Sequence, residues 1–209
     1  MKKTLIAIPA MDQCSSLFAA SLATLKGKDD AVVSMELSSL IYDARNRFAS
    51  NAVSGDFDYV MWFDSDMTFP PDTLQRMIKH MEDGKDIVSG LYFRRRPPYS
   101  PVLFKRLSQE VLENGKKFED YDDYPKDSLF KVDGFGFGCV MLKVDMLIDM
   151  GLECSQGWFT PFGGFGEDLS FCIRAKQLGY ELWCDSSIKC GHVSQFIVDE
   201  GTWERTRDK

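Results

Sequence analysis

Short apolar runs alternate with stretches of helical periodicity in the first half of the chain. Four runs are short and mostly apolar, as strands are, and they lie at 5–9, 31–37, 59–63 and 86–92. Three intervening stretches carry apolar residues at helical intervals, and they lie at 15–25, 39–53 and 70–82. Strands that alternate with helices predict a mainly parallel, doubly wound α/β sheet of the Rossmann type, in which ligands bind at the carboxyl ends of strands.

The second half of the chain has a less regular pattern. Residues 94–131 combine prolines, a run of three consecutive arginines and an acidic stretch that contains tyrosine, which predicts loops and edge strands around a site. Further elements are predicted as strands at 138–144, 180–184 and 189–194 and as a helix at 167–178. The charged residues 198–209 are expected to form a loosely held tail.

Composition narrows the class of protein. The chain has 209 residues, of which 44% are hydrophobic, and this is enough for a single domain with a sizeable core. Its net charge of −7 argues against a nucleic-acid-binding surface. No apolar run approaches the roughly 20 residues that span a bilayer. With no signal peptide evident, we expect a cytoplasmic protein without an integral membrane segment. The six cysteines lack CxxC spacing and are expected to be free thiols.

Two aspartates follow the predicted buried strand at 59–63. Asp64 and Asp66 flank Ser65 where the chain leaves the sheet, so that both carboxylates can converge on one divalent cation. In an arbitrary sequence such a pair more often caps a turn or accepts backbone hydrogen bonds. The buried strand that precedes this pair favours a metal site.

The chain contains two histidines. His80 lies on the polar side of a predicted helix and is expected to be exposed. His192 follows Gly191 in the last predicted strand, where an imidazole and two carboxylates would suit Mn²⁺ or Mg²⁺. A lone histidine in a strand is otherwise more often a core residue with satisfied hydrogen bonds.

A loop of glycines and phenylalanines at 162–166 leads into Glu167 and Asp168, which begin a predicted helix. Glycines allow a backbone to approach a ligand closely. Acids in a first helical turn also stabilise the helix dipole, which would account for one acid but not for the loop.

Together, the Asp64-Ser65-Asp66 turn, the Gly166-Glu167-Asp168 helix start and the late His192 resemble the GT-A glycosyltransferases in order and approximate spacing. Residues 42–46 are similar to the "ARN" helix segment of bacterial family-two enzymes, and the resemblance covers most of residues 4–193. The loop at 163–168 also resembles the WGGED loop of inverting galactosyltransferases. Here, however, Phe165 interrupts the glycines and no tryptophan directly precedes them.

This resemblance implies a GT-A domain at 1–197, with a nucleotide-binding half at 1–93, an acceptor and catalytic half at 94–197, and the tail at 198–209. It implies that Asp66 and His192, assisted by Asp64, bind Mn²⁺ or Mg²⁺. The donor would be a nucleotide-sugar, with a UDP-sugar favoured, and the acceptor a glycan, a small molecule or a protein. Asp168 would act as general base and Glu167 would bind the acceptor.

Donor contacts are expected mainly at the ends of the predicted strands. The residues concerned are Pro9, Ala10, Asp12, Glu36, Arg45, Asp64, Ser65 and Arg94. Arg94 belongs to a run of three arginines, which would bind diphosphate or form a solvated charged loop. Trp158 and Phe159 would form a platform for a sugar ring or pack in the core.

Two other functions are compatible with parts of the sequence. Residues 63–68 fit the hydrophobic-DxDx[TV] signature of haloacid-dehalogenase-like phosphatases, in which Asp64 would be a nucleophile. Those enzymes carry the signature on their first strand, whereas two strand-helix units precede it here, and no convincing later lysine and acidic pair follows. A non-catalytic nucleotide-sugar-binding module is the other possibility, and Asp168 argues against it.

Overall fold

A seven-stranded sheet forms the centre of the molecule in the computed structural model, which describes residues 2–154, 156–194 and 197–207. With strands numbered along the chain, the spatial order is β2 (Ala31–Leu37), β1 (Thr4–Ala10), β3 (Tyr59–Phe63), β10 (Cys139–Lys143), β5 (Ile87–Leu91), β11 (Leu182–Lys189) and β8 (Leu129–Val132). The strands β10 and β8 run antiparallel to their neighbours, and the other five share one direction. The predicted mainly parallel α/β sheet is confirmed.

Helices pack on both faces of this sheet. One face carries α1 (Ser16–Thr24) and α3 (Thr73–Glu82), and the other carries α2 (Ile41–Ser54), α4 (Val144–Glu153) and α5 (Glu167–Gln177). Successive residues of a strand point to opposite faces of the sheet. Ile6 and Ile8 of β1 therefore pack on the face that carries α1 and α3, and Leu5 and Ala7 pack on the opposite face. Strands with two buried faces explain the continuous apolar runs in the sequence.

Two small sheets extend the molecule beside the carboxyl ends of the main strands. One has the order β13 (Ile197–Val198), β12 (Gly191–Val193) and β4 (Met67–Thr68). The other has the order β7 (Phe118–Asp120), β6 (Leu103–Leu107) and β9 (Gly134–Phe135). In the first sheet His192 pairs with Met67, which brings the end of the chain next to the turn after β3.

Two predictions for the second half are wrong in detail. Helix α4 was not predicted, because its apolar residues continue the apolar run of β10 without a turn residue between them. The strand predicted at 180–184 begins at Leu182 and extends to Lys189 as β11. The mixture of loops and edge strands predicted for 94–131 is confirmed by β6, β7 and β8.

The prediction of a loose tail is wrong for the described residues of that segment. Asp199 caps a final helix, α6 (Glu200–Thr206), by accepting a hydrogen bond from the Thr202 N–H at 2.8 Å. Trp203 on this helix is 2% exposed, and its ring stacks on that of Phe93. Burial of this one aromatic residue anchors an otherwise charged segment. Residues 208 and 209 lie outside the described residues.

The prediction of an exposed His80 is also wrong. The His80 Nε2 atom lies 2.9 Å from Oδ2 of Asp185, and the side chain is 18% exposed. Arg76, one turn earlier on α3, contacts the same carboxylate at 3.2 Å. These contacts bind the polar face of α3 to β11.

The six cysteines are free thiols, as predicted, and four of them are buried. Within the described ranges, no helix is long and apolar enough to cross a membrane.

Candidate active site

A cavity of about 1080 Å³ lies at the carboxyl ends of β1, β3 and β5. These strands are parallel, so their ends meet at one edge of the sheet, where ligands of such folds bind. Six of the predicted donor contacts line this cavity, namely Pro9, Ala10, Asp12, Asp64, Ser65 and Arg94. Asp66, His192 and Asp168 line it as well, so the structure brings the three predicted motifs together.

Three predicted site residues do not line the cavity. Glu36 forms an ion pair with Arg47 at the outer edge of the sheet. Glu167, in the first turn of α5, is half-buried beside the cavity-lining Asp168. Arg45, predicted to contact the nucleotide-sugar, is 1% exposed, and this burial corrects the prediction.

His192 is oriented by a backbone carbonyl. Its Nδ1 atom lies 2.8 Å from the carbonyl oxygen of Phe93. A carbonyl can only accept, so Nδ1 carries a proton and the other ring nitrogen, Nε2, faces Asp66. Nε2 lies 3.5 Å from Oδ2 of Asp66, whose own carbonyl accepts a hydrogen bond from the Val193 N–H at 2.8 Å. A histidine that ligates a metal is commonly oriented in this way.

Asp66 also contacts Arg95. The guanidinium Nη1 donates to Oδ2 of Asp66 at 2.8 Å, and the Arg95 side chain is 52% exposed. Burial raises the pKa of Asp66, but the contacts with His192 and Arg95 outweigh it and hold this pKa below its ordinary value. The carboxylate therefore stays ionised, as a metal ligand must be.

The side chains of Asp66 and His192 are suited to a hard divalent cation, since a carboxylate oxygen and an imidazole nitrogen face each other. Within the described part of the chain, no three His, Cys, Asp or Glu side chains converge into a ready-made metal cluster. Asp64, which was predicted to assist such a site, lines the same cavity, and its Oδ1 accepts a hydrogen bond from Arg45. Two protein ligands would leave positions for substrate oxygens, as is usual for Mg²⁺ bound with a phosphate.

Asp168 reaches the cavity from the start of α5. Its Oδ2 accepts a hydrogen bond from the Phe137 N–H at 3.2 Å, and its Oδ1 is buried 3.5 Å from Nη2 of Arg45. Burial raises the pKa of Asp168 to about 7; Arg45 opposes this rise, and the charges of Glu167 and Asp64 add to it. A carboxyl group with such a pKa can exchange a proton near neutral pH.

Tyr92 lines the cavity and was not among the predicted site residues. Its hydroxyl accepts a hydrogen bond from the Gly138 N–H at 3.2 Å. A Cβ at Gly136 would lie 1.9 Å from this hydroxyl, so only glycine leaves room for the tyrosine. The sequence could have indicated Tyr92 by its position at the end of the fourth predicted strand, because ligands of such sheets bind at the carboxyl ends of strands.

The loop before α5 is held in place by glycine conformations and one buried ring. Gly163 and Gly164 have positive φ angles of 63° and 86°, which favour glycine. Phe165 is 6% exposed, so it anchors the loop. The proposed sugar platform is wrong: Phe159 is fully buried, and Trp158 packs against the core and donates a hydrogen bond to the Leu147 carbonyl.

The mainly parallel α/β sheet, with a cavity lined by aspartates at the carboxyl ends of its strands, is consistent with the GT-A fold. The family model described as "Glycosyl transferase family 2" matches residues 29–147, more than half of the chain. The chain therefore belongs to glycosyl transferase family 2 and is a glycosyltransferase. The match includes Asp64 and Asp66 and ends before Asp168 and His192.

Comparison with solved structures supports the same fold. A197 from STIV superposes with a TM-score of 0.67 at 19% sequence identity, over 93% of this chain and 86% of that chain. No curated protein sequence matches the chain.

Proposed function

We propose that the chain transfers a sugar from a nucleoside-diphosphate sugar, with a UDP-sugar favoured, to an acceptor hydroxyl, in a metal-dependent reaction with inversion. One observation carries this proposal: the Asp66–His192 pair and Asp168 line the same cavity. The cavity has the volume of a small-molecule site and is large enough for a donor and part of an acceptor.

The donor would lie along the ends of β1 and β3. Residues 9–12 would hold the nucleoside, and Arg94 the diphosphate, because a guanidinium matches paired phosphate oxygens. Asp66 and His192, with Asp64 assisting, would hold Mn²⁺ or Mg²⁺. When bound, this cation neutralises negative charge on the departing diphosphate.

Asp168 would take the proton from the acceptor hydroxyl as the hydroxyl oxygen attacks the anomeric carbon. The bond from that carbon to the diphosphate breaks in the same step, and its electron pair leaves with the diphosphate. The sugar passes through an oxocarbenium-like transition state. Glu167, adjacent to the base, is proposed to bind the acceptor. The acceptor that carries this hydroxyl would be a glycan, a small molecule or a protein.

A direct test incubates the purified protein with Mn²⁺ and a panel of UDP-, GDP- and CMP-sugars, with and without candidate acceptors. Nucleotide release and the thermal shift of the protein are measured. We expect one nucleotide-sugar to stabilise the protein and to release its nucleotide. Hydrolysis of a phosphoester without any response to nucleotide-sugars would support a phosphatase, and binding without release would support a non-catalytic module.

The base assignment predicts that Asp168→Asn lowers the transfer rate by at least about 100-fold, the usual range for general-base catalysis. Donor-induced stabilisation should persist, because the donor ligands are unchanged. Asp149→Asn, which alters an exposed aspartate paired with Tyr180 outside the cavity, is the control and should retain the wild-type rate. Loss of both transfer and donor binding in Asp168→Asn would contradict a role as base.

A further inference from the structure

Arg45 is a buried cation that the proposed reaction steps do not use. It lies on α2, its side chain is 2% exposed, and its Nη2 donates to Oδ1 of Asp64 at 2.9 Å. The same nitrogen lies 3.5 Å from Oδ1 of Asp168. Arg45 thus bridges an aspartate at the end of β3 and the proposed base at the start of α5, two positions far apart in the chain.

The surroundings of Arg45 are mostly aromatic and offer its guanidinium few hydrogen-bond acceptors. Its Nε and Nη1 are buried and have no hydrogen-bond partner among the described residues. Its guanidinium carbon lies 5.4 to 5.9 Å from the ring centroids of Phe137, Trp62 and Phe159. Cation–π attraction supports the charge only in part, and a buried charge is costly unless it is paired. The two carboxylates are therefore the partners that keep this cation in place.

The two carboxylates differ from Arg45 in exposure. Each is 27% exposed, and both line the cavity that Arg45 does not reach. Arg45 therefore lies behind them and cannot touch a ligand, while each aspartate has one oxygen directed at the guanidinium. Burial lowers the pKa of Arg45, but Asp64 and Asp168 hold it above its usual value, so the guanidinium stays charged.

We propose that Arg45 is a positioning residue, whose guanidinium fixes the separation between Asp64 on the donor side and Asp168 on the acceptor side. This inference rests on the proposed function. The aromatic rings immobilise the guanidinium, and the guanidinium in turn aligns the base with the donor. A displacement of about 1 Å at a reacting group can lower a rate by about 100-fold, which is why such alignment matters.

The test compares Arg45→Met and Arg45→Lys with the wild type in steady-state transfer and in donor binding by calorimetry. For Arg45→Met we expect kcat to fall by about 100-fold, the cost of a misplaced base. Donor affinity should change little, because Asp66 and His192 are untouched. Arg45→Lys should recover part of kcat, since an ammonium restores the charge but not the fork geometry.

Arg76→Met is the matched control. Arg76 also pairs with a largely buried aspartate, Asp185, but outside the cavity, so its loss should leave kcat at the wild-type value. The folded fraction of each variant is measured by circular dichroism at the assay temperature. If Arg45→Met does not fold, the test relies on Arg45→Lys. For this variant we expect a lowered kcat and an unchanged donor affinity.

Two results would overturn the inference: kcat unchanged in both Arg45 variants, or weakened donor binding with kcat per folded molecule intact. A kcat loss that only follows the folded fraction would show a structural role and also overturn it. These outcomes require an active wild type. A wild type without transfer activity would instead refute the proposed function.

Discussion

Asp168 combines two properties that a general base needs, access to the cavity and a pKa near neutrality. Only part of its carboxylate is buried, because Oδ1 faces Arg45 while the rest of the side chain reaches the cavity. A more exposed aspartate would be a weaker base, and a fully buried one could not reach a substrate. The position of one carboxylate thus sets both the reactivity and the access of the proposed base.

The raised pKa predicts how activity depends on pH. The pKa of Asp168 is raised to about 7 by burial, and the base must be deprotonated, so activity should fall as the pH drops through about 7. A pH profile of kcat/KM for the wild type checks this. A profile that is flat through neutrality, with activity falling only near the pKa of an ordinary aspartate, would contradict it.

Arg95 and a bound cation would compete for Oδ2 of Asp66. The Arg95 side chain in this ion pair is 52% exposed, and ion pairs that are open to solvent contribute at most about 1 kcal/mol, or about fivefold in affinity. We therefore expect Arg95→Gln to bind Mn²⁺ up to about fivefold more tightly when no donor is present. Calorimetry on the protein without donor measures this, with Arg96→Gln as the control from the same loop. Equal affinities in wild type and Arg95→Gln would show that Arg95 does not compete.

Residues within local motifs could be predicted from the sequence, and residues defined by long-range packing could not. Asp64, Asp66 and Asp168 stand at the boundaries of predicted elements, and the structure places all three at the cavity. The contacts of Arg45 depend on three segments that meet only in the folded chain, so its burial could not be predicted from the sequence. Tyr92 could have been suspected from its place at a strand end, but the space for its hydroxyl beside Gly136 depends on the fold.

Among the elements, α6 shows how much a single buried side chain contributes. Most residues of this helix are polar or charged, and Trp203 anchors it by packing against Phe93 and Tyr124. We expect Trp203→Ala to lower the free energy of unfolding by about 3–5 kcal/mol, the usual cost of removing a buried aromatic. Urea denaturation measures the loss.

The control for that prediction is Glu204→Ala on the same helix. Glu204 is about half-exposed and pairs with Lys126, so its removal should cost about 1 kcal/mol or less. Equal effects of the two substitutions would mean that α6 is not anchored by its tryptophan.

The limits of prediction at the scale of elements have the same origin. Helices α1 to α3 were predicted because turn residues separate them from the strands, whereas α4 follows β10 directly. A continuous apolar run does not show where a strand ends and a helix begins. In α6, one turn carries the buried residues, and this is too short for a periodic pattern to emerge from the surrounding charges.

At the scale of the whole molecule, binding of donor and metal should stabilise the folded protein, because residues from both halves of the chain line the cavity. A ligand at 100 times its Kd adds about 2.7 kcal/mol of stability. For a domain of this size, that corresponds to a rise in Tm of about 5–10 °C. Differential scanning fluorimetry with Mn²⁺ and the donor measures the shift.

Removal of the metal provides the control for that shift. A chelator should abolish most of the stabilisation by the donor if Asp66 and His192 bind the nucleotide through a cation. A shift that is unchanged by the chelator would contradict metal dependence while leaving donor binding intact.

The architecture of the molecule was largely predictable, because alternating strands and helices admit few arrangements. The position of β10 between β3 and β5 was not predictable, because no local sequence pattern indicates which strands become neighbours. Within the sheet, β3 and β5 do not pair with each other, although they are consecutive main strands in the chain.

That position of β10 has a consequence for biosynthesis. A nascent chain that has emerged only as far as residue 93 holds β3 and β5 but lacks the strand that joins them. The backbone edges of β3 and β5 that pair with β10 stay unpaired until residues 139–143 leave the ribosome, and unpaired strand edges promote aggregation. The segment 1–93 should therefore not behave as an autonomous folding unit, because both β10 and β11, the two neighbours of β5 in the sheet, lie beyond it in the chain.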